Sequence, residues 1–131
     1  MVPKHITPIL NVSDITQSFA WFAKLGWRKC WDYHNDPNRP PTFGAVGCGH
    51  FEIFVCLDGQ GGRGKDGGVG DEGRGVWMMI WVEDVDALYR ECVAQGLETL
   101  MSPRDEPWGV REFHLRHPDG HVFRMGTAVK A

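Results

Sequence analysis

Apolar side chains recur at helical spacing twice along the chain, each time after a short extended run. The first set lies three or four residues apart, at Ile15, Phe19, Phe22 and Leu25. This period predicts an amphipathic helix over residues 15–25, because positions three and four apart share one helical face. Ser13 and Asp14 offer side-chain oxygens for its N-cap, and Gly26 is suited to end it.

A second helix is predicted over residues 85–95, and its surroundings repeat those of the first. Its apolar face carries Val85, Leu88 and Cys92. Asp84 precedes it as a capping residue, and Gly96 follows it as a stop. The two halves of the chain therefore share the signals that begin and end a helix.

Runs rich in β-branched and aromatic residues surround both helices and predict strands. In the first half these strands cover residues 4–12, 27–33, 42–48 and 51–57. In the second half they cover residues 76–82, 97–101, 110–116 and 121–126. The segment Leu10-Asn-Val-Ser-Asp14 also corresponds to Ile80-Trp-Val-Glu-Asp84, at the start of each helix. We therefore predict a duplicated β-α-β-β-β module, with module one at residues 1–58 and module two at 76–131.

The stretch between the modules, residues 59–75, is dense in glycine with charged residues between the glycines. This composition is typical of a flexible connector, and either a lid or a passive linker is compatible with it. The run Gly62-Arg-Gly-Lys-Asp-Gly67 lacks the Gly-Lys-Ser/Thr ending and the following helix of a phosphate-binding loop. We therefore expect no phosphate site here.

Length and charge narrow the classes of function. With 131 residues and a formal net charge of -3, the chain has no basic block of the kind that binds nucleic acid or an anionic membrane. No run approaches the roughly 18 apolar residues of a membrane span, and the first residues lack a signal-peptide pattern. We expect a single cytoplasmic domain. Its four cysteines show no Cys-x-x-Cys spacing and are expected to be reduced thiols that pack as small apolar groups.

The last two predicted strands form the most specific pattern in the sequence. Pro107-Trp-Gly109 precedes the first of them, the turn His117-Pro-Asp-Gly120 joins them, and Arg124 lies in the second. A proline, an aspartate and a glycine in this order favour a tight hairpin. The stretch resembles the closing motif of the glyoxalase and bleomycin resistance protein family, part of the vicinal oxygen chelate superfamily, whose turn usually begins with Asp. His117 at that place is expected to weaken the cap of the turn.

The resemblance covers nearly the whole chain outside the connector and implies an α+β fold. Two tandem β-α-β-β-β modules would form curved mixed sheets around a cleft, with the helices on the outer side. Because strand side chains alternate between faces, parity predicts which residues lie on the core side: Leu10, Val12, Phe51, Ile53, Val55, Met78, Ile80, Val82, Phe123 and Met125. It predicts a cleft side with Thr7, Ile9, Asn11, Glu52, Phe54, Trp77, Met79, Trp81, Val122 and Arg124.

Metal-dependent members of the superfamily bind their ion through the first, fourth, fifth and eighth strands. The resemblance assigns these four positions to Thr7, Glu52, Trp77 and Arg124. Of these, Glu52 alone is an expected ligand for a divalent ion, because a guanidinium has no lone pair to offer. His5 lies two residues before Thr7, about 6 to 7 Å along the strand, and does not restore the set. The remaining histidines near hairpins are expected to be solvated turn residues: His50, His114, His117 and His121. We therefore expect no bound metal and no cofactor.

Without a metal, the resemblance implies the bleomycin resistance branch, whose members sequester a planar or heteroaromatic antibiotic without changing it. Six tryptophans in 131 residues could supply aromatic walls for such a ligand. We predict a small-molecule binding protein for a hydrophobic or aromatic ligand, with Glu52 suited to a cationic group and paired with Arg124 when the site is empty. The predicted ligand-binding residues are Thr7, Ile9, Trp31, Glu52, Phe54, Trp77, Met79, Trp81, Trp108 and Arg124.

Two alternatives remain. One is an enzyme of the superfamily, a lyase, dioxygenase or isomerase, with a non-standard metal site built on His5 and Glu52 or with metal-free acid-base chemistry. The other is a non-catalytic interaction domain, and any single tryptophan could equally belong to the core. Strand edges and a half-open cleft that need covering also predict a homodimer.

Overall fold

Each half of the chain folds into a helix and a four-stranded sheet. The computed structural model describes residues 1–59 and 76–129, so the predicted glycine-rich connector, apart from Gly59, lies outside the described residues. The chain divides into two compact units, Met1–Gly62 and Arg63–Ala131. Both units have the predicted β-α-β-β-β order.

The first unit builds its sheet around its last strand. Its elements are β1 (Ile9–Val12), α1 (Ile15–Lys24), β2 (Arg28–Tyr33), β3 (Phe43–Cys48) and β4 (Phe51–Leu57). The strands are ordered β1-β4-β3-β2 across the sheet. β1 runs parallel to β4, whereas β4 with β3 and β3 with β2 are antiparallel. The sheet is therefore mixed.

The second unit repeats this arrangement. Its elements are β5 (Trp77–Trp81), α2 (Val85–Ala94), β6 (Thr99–Asp105), β7 (Val110–Arg116) and β8 (Val122–Ala128). The strand order is β5-β8-β7-β6, with β5 parallel to β8 and the other pairs antiparallel. The predicted α+β class with two β-α-β-β-β modules and mixed sheets is confirmed.

Both helices begin after the aspartates that the sequence predicts as caps. Asp14 and Asp84 each accept a hydrogen bond of 3.0 Å, through Oδ1, from the backbone N–H three residues later. Each bond satisfies one of the N–H groups that a helix start leaves without a partner. Gly26 and Gly96, just past the helix ends, take φ angles of +86° and +74°, which glycine adopts without a Cβ clash. Neither helix of the described residues has the length and apolar composition needed to cross a membrane.

The face of each sheet that lies under its helix is apolar. In the first unit this side buries Leu10, Val12, Ile53 and Val55. In the second unit it buries Phe113, Leu115, Phe123 and Met125. The predicted core side is thus confirmed for β1, for β8 and for Ile53 and Val55 of β4. Phe51, at the start of β4, is exposed instead, and Met78, Ile80 and Val82 in and beside β5 are only half-buried.

The first strand is shorter than predicted. β1 begins at Ile9 rather than at residue 4. Pro8, just before it, has no N–H to donate to the sheet, and its carbonyl oxygen accepts from the Phe54 N–H at 2.9 Å. The proline therefore marks the point where regular pairing with β4 starts.

β6 is longer than predicted and irregular. It extends over Thr99–Asp105 instead of residues 97–101, and its pairing with β7 shifts register twice. It also contains Pro103, which a central strand would not tolerate because proline cannot donate to the ladder. β6 lies at the edge of its sheet, where such a residue is acceptable.

The turn between β7 and β8 is buried, so the expectation that His117 and His121 are solvated is wrong. His117 is 0% exposed and His121 is 1% exposed. His117 Nδ1 accepts a hydrogen bond of 3.0 Å from the Asp119 N–H, the bond that an aspartate at the first turn position would accept. His121 Nδ1 accepts from the Val76 N–H at 3.2 Å and so ties the turn to the start of β5. His117 thus caps this turn rather than weakening it.

The cysteines are all free thiols. Cys92 is 0% exposed within α2 and packs as a small apolar group, as expected. Cys30 is exposed on β2, but its Sγ lies over Gly47 of β3, so the expected packing of its thiol is met only in part.

Candidate functional site

Each sheet has one face turned away from its helix, here called the helix-free face, and the candidate site residues lie on these faces. In β4, Glu52 and Phe54 alternate with the buried Ile53 and Val55 and therefore point to the helix-free face. All but one of the predicted cleft-side residues lie in or directly beside the strands expected to carry them. Thr7 lies before the observed start of β1 and is half-buried.

An aromatic cluster covers the helix-free face of the first sheet. Trp31 stacks on Phe43 with ring centroids 5.6 Å apart and an interplanar angle of 23°. Phe54 meets both rings edge-on, at 5.3 Å from Trp31 and 5.4 Å from Phe43. Such pairs stabilise one another beyond simple area burial, so the three rings form a preorganised apolar surface. We call Trp31, Phe43 and Phe54 the aromatic triad.

Two of the triad residues were predicted and one was not. Phe43 opens β3 and pairs with Cys56, which lies on the same face as Phe54. The alternation of side chains along the predicted strand 42–48 could have identified Phe43 as a residue of this face. Ile9, opposite Phe54 in the parallel pair of β1 with β4, is 55% exposed and continues this apolar surface.

A buried carboxylate organises the helix-free face of the second sheet. Glu112, in the middle of β7, exposes only 1% of its side chain. Its Oε1 accepts hydrogen bonds from Arg124 Nε at 3.0 Å, from Arg124 Nη2 at 2.7 Å and from His114 Nε2 at 2.8 Å. Its Oε2 accepts from Trp108 Nε1 at 3.2 Å. We call Glu112, His114, Arg124, Trp108 and Trp77 the Glu112 cluster.

The strand register brings these groups together. Glu112 and His114 alternate along β7 with the buried Phe113, and His114 pairs directly with Arg124 of β8. Trp108 lies just before β7, so its ring can turn back over the same face. A guanidinium beside a carboxylate in this geometry forms charge-assisted bonds, which are stronger than neutral ones.

Two indole rings accompany the Arg124 guanidinium. Its central carbon lies over the Trp77 ring and over the Trp108 ring, 5.9 Å from each centroid. These indoles are 67% and 59% exposed, whereas the arginine side chain is 27% exposed. The cation is thus held on one edge by a buried carboxylate and accompanied by rings that are open to solvent. Exposed cation–π contacts of this kind are worth about 0.5 to 1 kcal/mol each.

Glu112 is held in its ionised form. Burial by itself would raise the pKa of this carboxyl group, but hydrogen bonds from His114, Arg124 and Trp108 outweigh it, and the pKa lies below its ordinary value. The carboxylate therefore stays charged at neutral pH. Its charge compensates that of the neighbouring guanidinium.

The observed partner of Arg124 corrects one prediction. The sequence interpretation paired Arg124 with Glu52 in the empty site, whereas the structure pairs it with Glu112. Glu112 and His114 were missed as site residues, although the strand 110–116 was predicted with its correct bounds. Parity along that strand places Glu112 opposite the buried Phe113, and this signal could have found it.

The remaining predicted residues of β5 differ in their surroundings. Met79 is half-buried over Gly126 of β8, where an added Cβ would meet its methyl carbon and lie 2.8 Å from Val110 Cγ1. Trp81 pairs with Gly126 in register and is 62% exposed. Met79 therefore fills a space left by a glycine, while the Trp81 ring stays accessible.

Comparison with known proteins identifies the family. The model of the Glyoxalase/Bleomycin resistance protein/Dioxygenase superfamily matches residues 3–125. The chain belongs to this superfamily. The resemblance of the closing hairpin to this family is thereby confirmed. A search among curated proteins with the sequence found no match.

Solved structures with the same fold share little sequence with this chain. TioX from Micromonospora sp. ML1 is 20% identical, with a TM-score of 0.74 over 97% of this chain and 100% of the other. A bleomycin resistance determinant encoded on the transposon Tn5 is 16% identical, with a TM-score of 0.68 over 96% and 98%. A bleomycin-binding protein complexed with bleomycin is 16% identical, with a TM-score of 0.66 over 95% and 98%. At these identities the likeness establishes the fold.

The residues that the resemblance assigns to the metal-ligand positions do not fit a divalent ion in this chain. Trp77 offers no lone pair in the plane of its ring, and Arg124 is a cation already bound to Glu112. Both oxygens of Glu112 accept hydrogen bonds from other side chains. Within residues 1–59 and 76–129, no three His, Cys, Asp or Glu side chains are grouped so that they could hold a metal ion.

Proposed function

We propose that the protein binds a planar aromatic or heteroaromatic small molecule and sequesters it without chemical change. The observation that carries this proposal is the Glu112 cluster, where Trp77 and Trp108 are exposed beside a preorganised Arg124. Neighbouring apolar side chains that are open to solvent often mark a ligand-binding or interaction site. A stacking ligand fits the two indoles, because every planar aromatic presents a face that an indole can cover.

The distribution of tryptophans supports the proposal. Trp31, Trp77, Trp81 and Trp108 are at least 39% exposed, whereas Trp21 is 6% exposed and belongs to the core. Base-sized rings gain about 1 to 3 kcal/mol from stacking on one exposed aromatic side chain. Two such contacts with one ligand would raise its affinity by about one and a half to four decades.

The aromatic triad of the first unit supports the same class of ligand. Its rings are already packed against one another, so a ligand face would meet a surface that needs little reorganisation. Trp31, at 39% exposed, is the accessible member. We propose that the triad is a second aromatic contact surface for the same class of ligand.

Family membership supports binding but does not name the ligand. One solved structure with this fold is a bleomycin-binding protein in complex with bleomycin, and its 16% identity carries no residue of its site over to this chain. The ligand class proposed here rests on the side chains of this chain. Antibiotic resistance is the role that such sequestration would serve in a bleomycin-resistance-type protein.

The test is a titration with calorimetry and tryptophan fluorescence, using a bleomycin, a mitomycin and simple planar heterocycles. We expect Trp77→Ala to weaken binding of the active compound by about 10-fold or more. Since Trp77 is 67% exposed, the same change should alter the free energy of unfolding by less than about 1 kcal/mol.

Trp21→Ala is the matched control. Trp21 is buried and meets Phe22 edge-on at 5.0 Å, so its removal should cost about 3 to 5 kcal/mol of stability. The ligand affinity of the folded Trp21→Ala protein should equal that of wild type. If the variant is unstable, its affinity is measured at low temperature. The proposal is wrong if no compound perturbs the wild-type protein, or if Trp77→Ala behaves like Trp21→Ala.

A further inference from the structure

The N–H groups of Arg124 that are not bound to Glu112 indicate the charge of the ligand. A guanidinium has five N–H groups, and the Nε–H and one Nη2–H of Arg124 are bound to Glu112 Oε1. The adjacent, end-on edge consists of one Nη1 hydrogen and the second Nη2 hydrogen. This edge has no hydrogen-bond partner among residues 1–59 and 76–129. It is therefore a fixed pair of parallel donors beside two exposed indoles.

The carboxylate of the cluster is not available to a cationic ligand. Glu112 is 1% exposed, and its two oxygens accept four N–H groups from three side chains. A cation would have to displace Arg124 to reach it, which would leave a guanidinium without its counter-ion. The cluster therefore offers charged donors and no free carboxylate.

We propose that the ligand of this site is an anionic planar aromatic compound, with a carboxylate that binds end-on to the free edge of Arg124. Two parallel N–H donors match the two oxygens of a carboxylate, which adds orientation as well as affinity. The ring attached to that carboxylate would then lie beside Trp77 and Trp108, which are placed around the same guanidinium.

Glu112 has a positioning role in this recognition. Its bonds to Nε and Nη2 hold the guanidinium plane in one orientation. A ligand that binds the free end-on edge therefore does not have to fix the rotamer of Arg124. The net charge of -3 opposes an anion only through long-range interactions, which salt screens beyond about 8 Å at physiological ionic strength. Short contacts with Arg124 decide the preference. The sequence interpretation differs on this point, because it has Glu52 bind a cationic group and so implies a positively charged ligand.

This inference rests on the proposed function and is tested with three naphthalene probes of one shape. Calorimetry at neutral pH compares 2-naphthoate, the neutral 2-naphthamide and the cationic 2-naphthylmethylammonium. We expect the naphthoate to bind about 10-fold or more tightly than the amide, because charge-assisted bonds are stronger than neutral ones, and the ammonium compound to bind most weakly.

Variants of the arginine locate the preference. The double change Arg124→Gln with Glu112→Gln removes both charges together, so no buried ion is left alone, and should abolish the advantage of naphthoate over naphthamide. Arg124→Lys keeps the charge but loses the paired donors, and should reduce the advantage several-fold. Arg111→Gln is the matched control, since Arg111 is bound to Asp86 and Asp105 outside the cluster, and it should preserve the advantage.

The outcomes separate the two proposals. If naphthamide binds as tightly as naphthoate, or Arg111→Gln reduces the preference as much as the double change, the anionic ligand is wrong while aromatic binding stands. If none of the three probes binds, and the wider panel also fails, the proposed function falls and the inference falls with it. Should the double variant not fold, an unchanged preference in Arg124→Lys overturns the inference by itself.

Discussion

The buried carboxylate of Glu112 allows a sharp test of how the second unit is held together. We predict that Glu112→Gln, which keeps the shape and removes the charge, lowers the free energy of unfolding by about 2 to 4 kcal/mol. The amide cannot neutralise Arg124, and its NH2 group would face donors instead of accepting from them. The structural role of the carboxylate is thus tested without opening a cavity.

The magnitude follows from the contacts. Glu112 accepts four N–H groups, and one hydrogen bond to a charged group is worth about 1.5 to 3 kcal/mol. Breaking a buried ion pair by removing one partner costs about 3 to 5 kcal/mol. The glutamine oxygen can keep part of these bonds, and Arg124 is 27% exposed, so water recovers part of the loss. The expected loss of stability therefore lies well below the sum of four such bonds and slightly below the cost of breaking a fully buried ion pair.

Asp86→Asn provides the matched control. It is also a carboxylate-to-amide change opposite an arginine, since Asp86 accepts two bonds of 2.8 Å from Arg111. The Asp86 side chain is 42% exposed and that of Arg111 is 36% exposed, so solvent screens this pair and its loss should cost much less than the loss of the Glu112 charge. Urea unfolding, followed by circular dichroism, measures the free energy of unfolding of both variants. The denaturant slope m should be the same in each variant as in wild type.

The pH dependence checks the same reasoning independently. Because the pKa of Glu112 is lowered in the folded protein from its ordinary 4.5, its stabilisation is present above about pH 4.5 and is lost as pH falls through the folded pKa. The stability difference between wild type and Glu112→Gln should narrow over that acidic range. A loss in Glu112→Gln no larger than in Asp86→Asn, or a difference that widens with acid, would refute the argument.

Three further predictions concern the whole protein. Elemental analysis after dialysis should find no stoichiometric Zn, Ni, Mn or Fe, because the resemblance assigns Thr7, Trp77 and Arg124 to three of the four metal-ligand positions; about one tightly held ion per chain would contradict this. Light scattering at tens of micromolar should give the mass of a homodimer, since each sheet has open edges, and a monomer mass would count against it. Burial, with a smaller contribution from Glu91, raises the pKa of Cys92 to about 11, so at about pH 8 it should react with a thiol reagent far more slowly than the exposed Cys30; equal rates in peptide mapping would disprove this.

Local signals in the sequence were enough to predict both helices, the bounds of several strands and most of the core side. Asp14 and Asp84 mark the helix starts because a capping interaction spans three residues and needs no distant partner. The strands over 51–57 and 110–116 have their predicted bounds, because the turns next to them carry their own signals. Parity then identified the core side, since alternation along a strand is a local property of the backbone.

The contacts between distant side chains could not be predicted from local patterns. Arg124 bonds to Glu112 rather than Glu52, because their positions across the β7–β8 pair depend on strand register and not on chain order. His117 and His121 are buried, although a hairpin turn usually faces water, since the turn also bonds the start of β5. Local patterns fix the conformation of each segment, whereas the partner of a charged group and the burial of a turn depend on segments far away in the sequence.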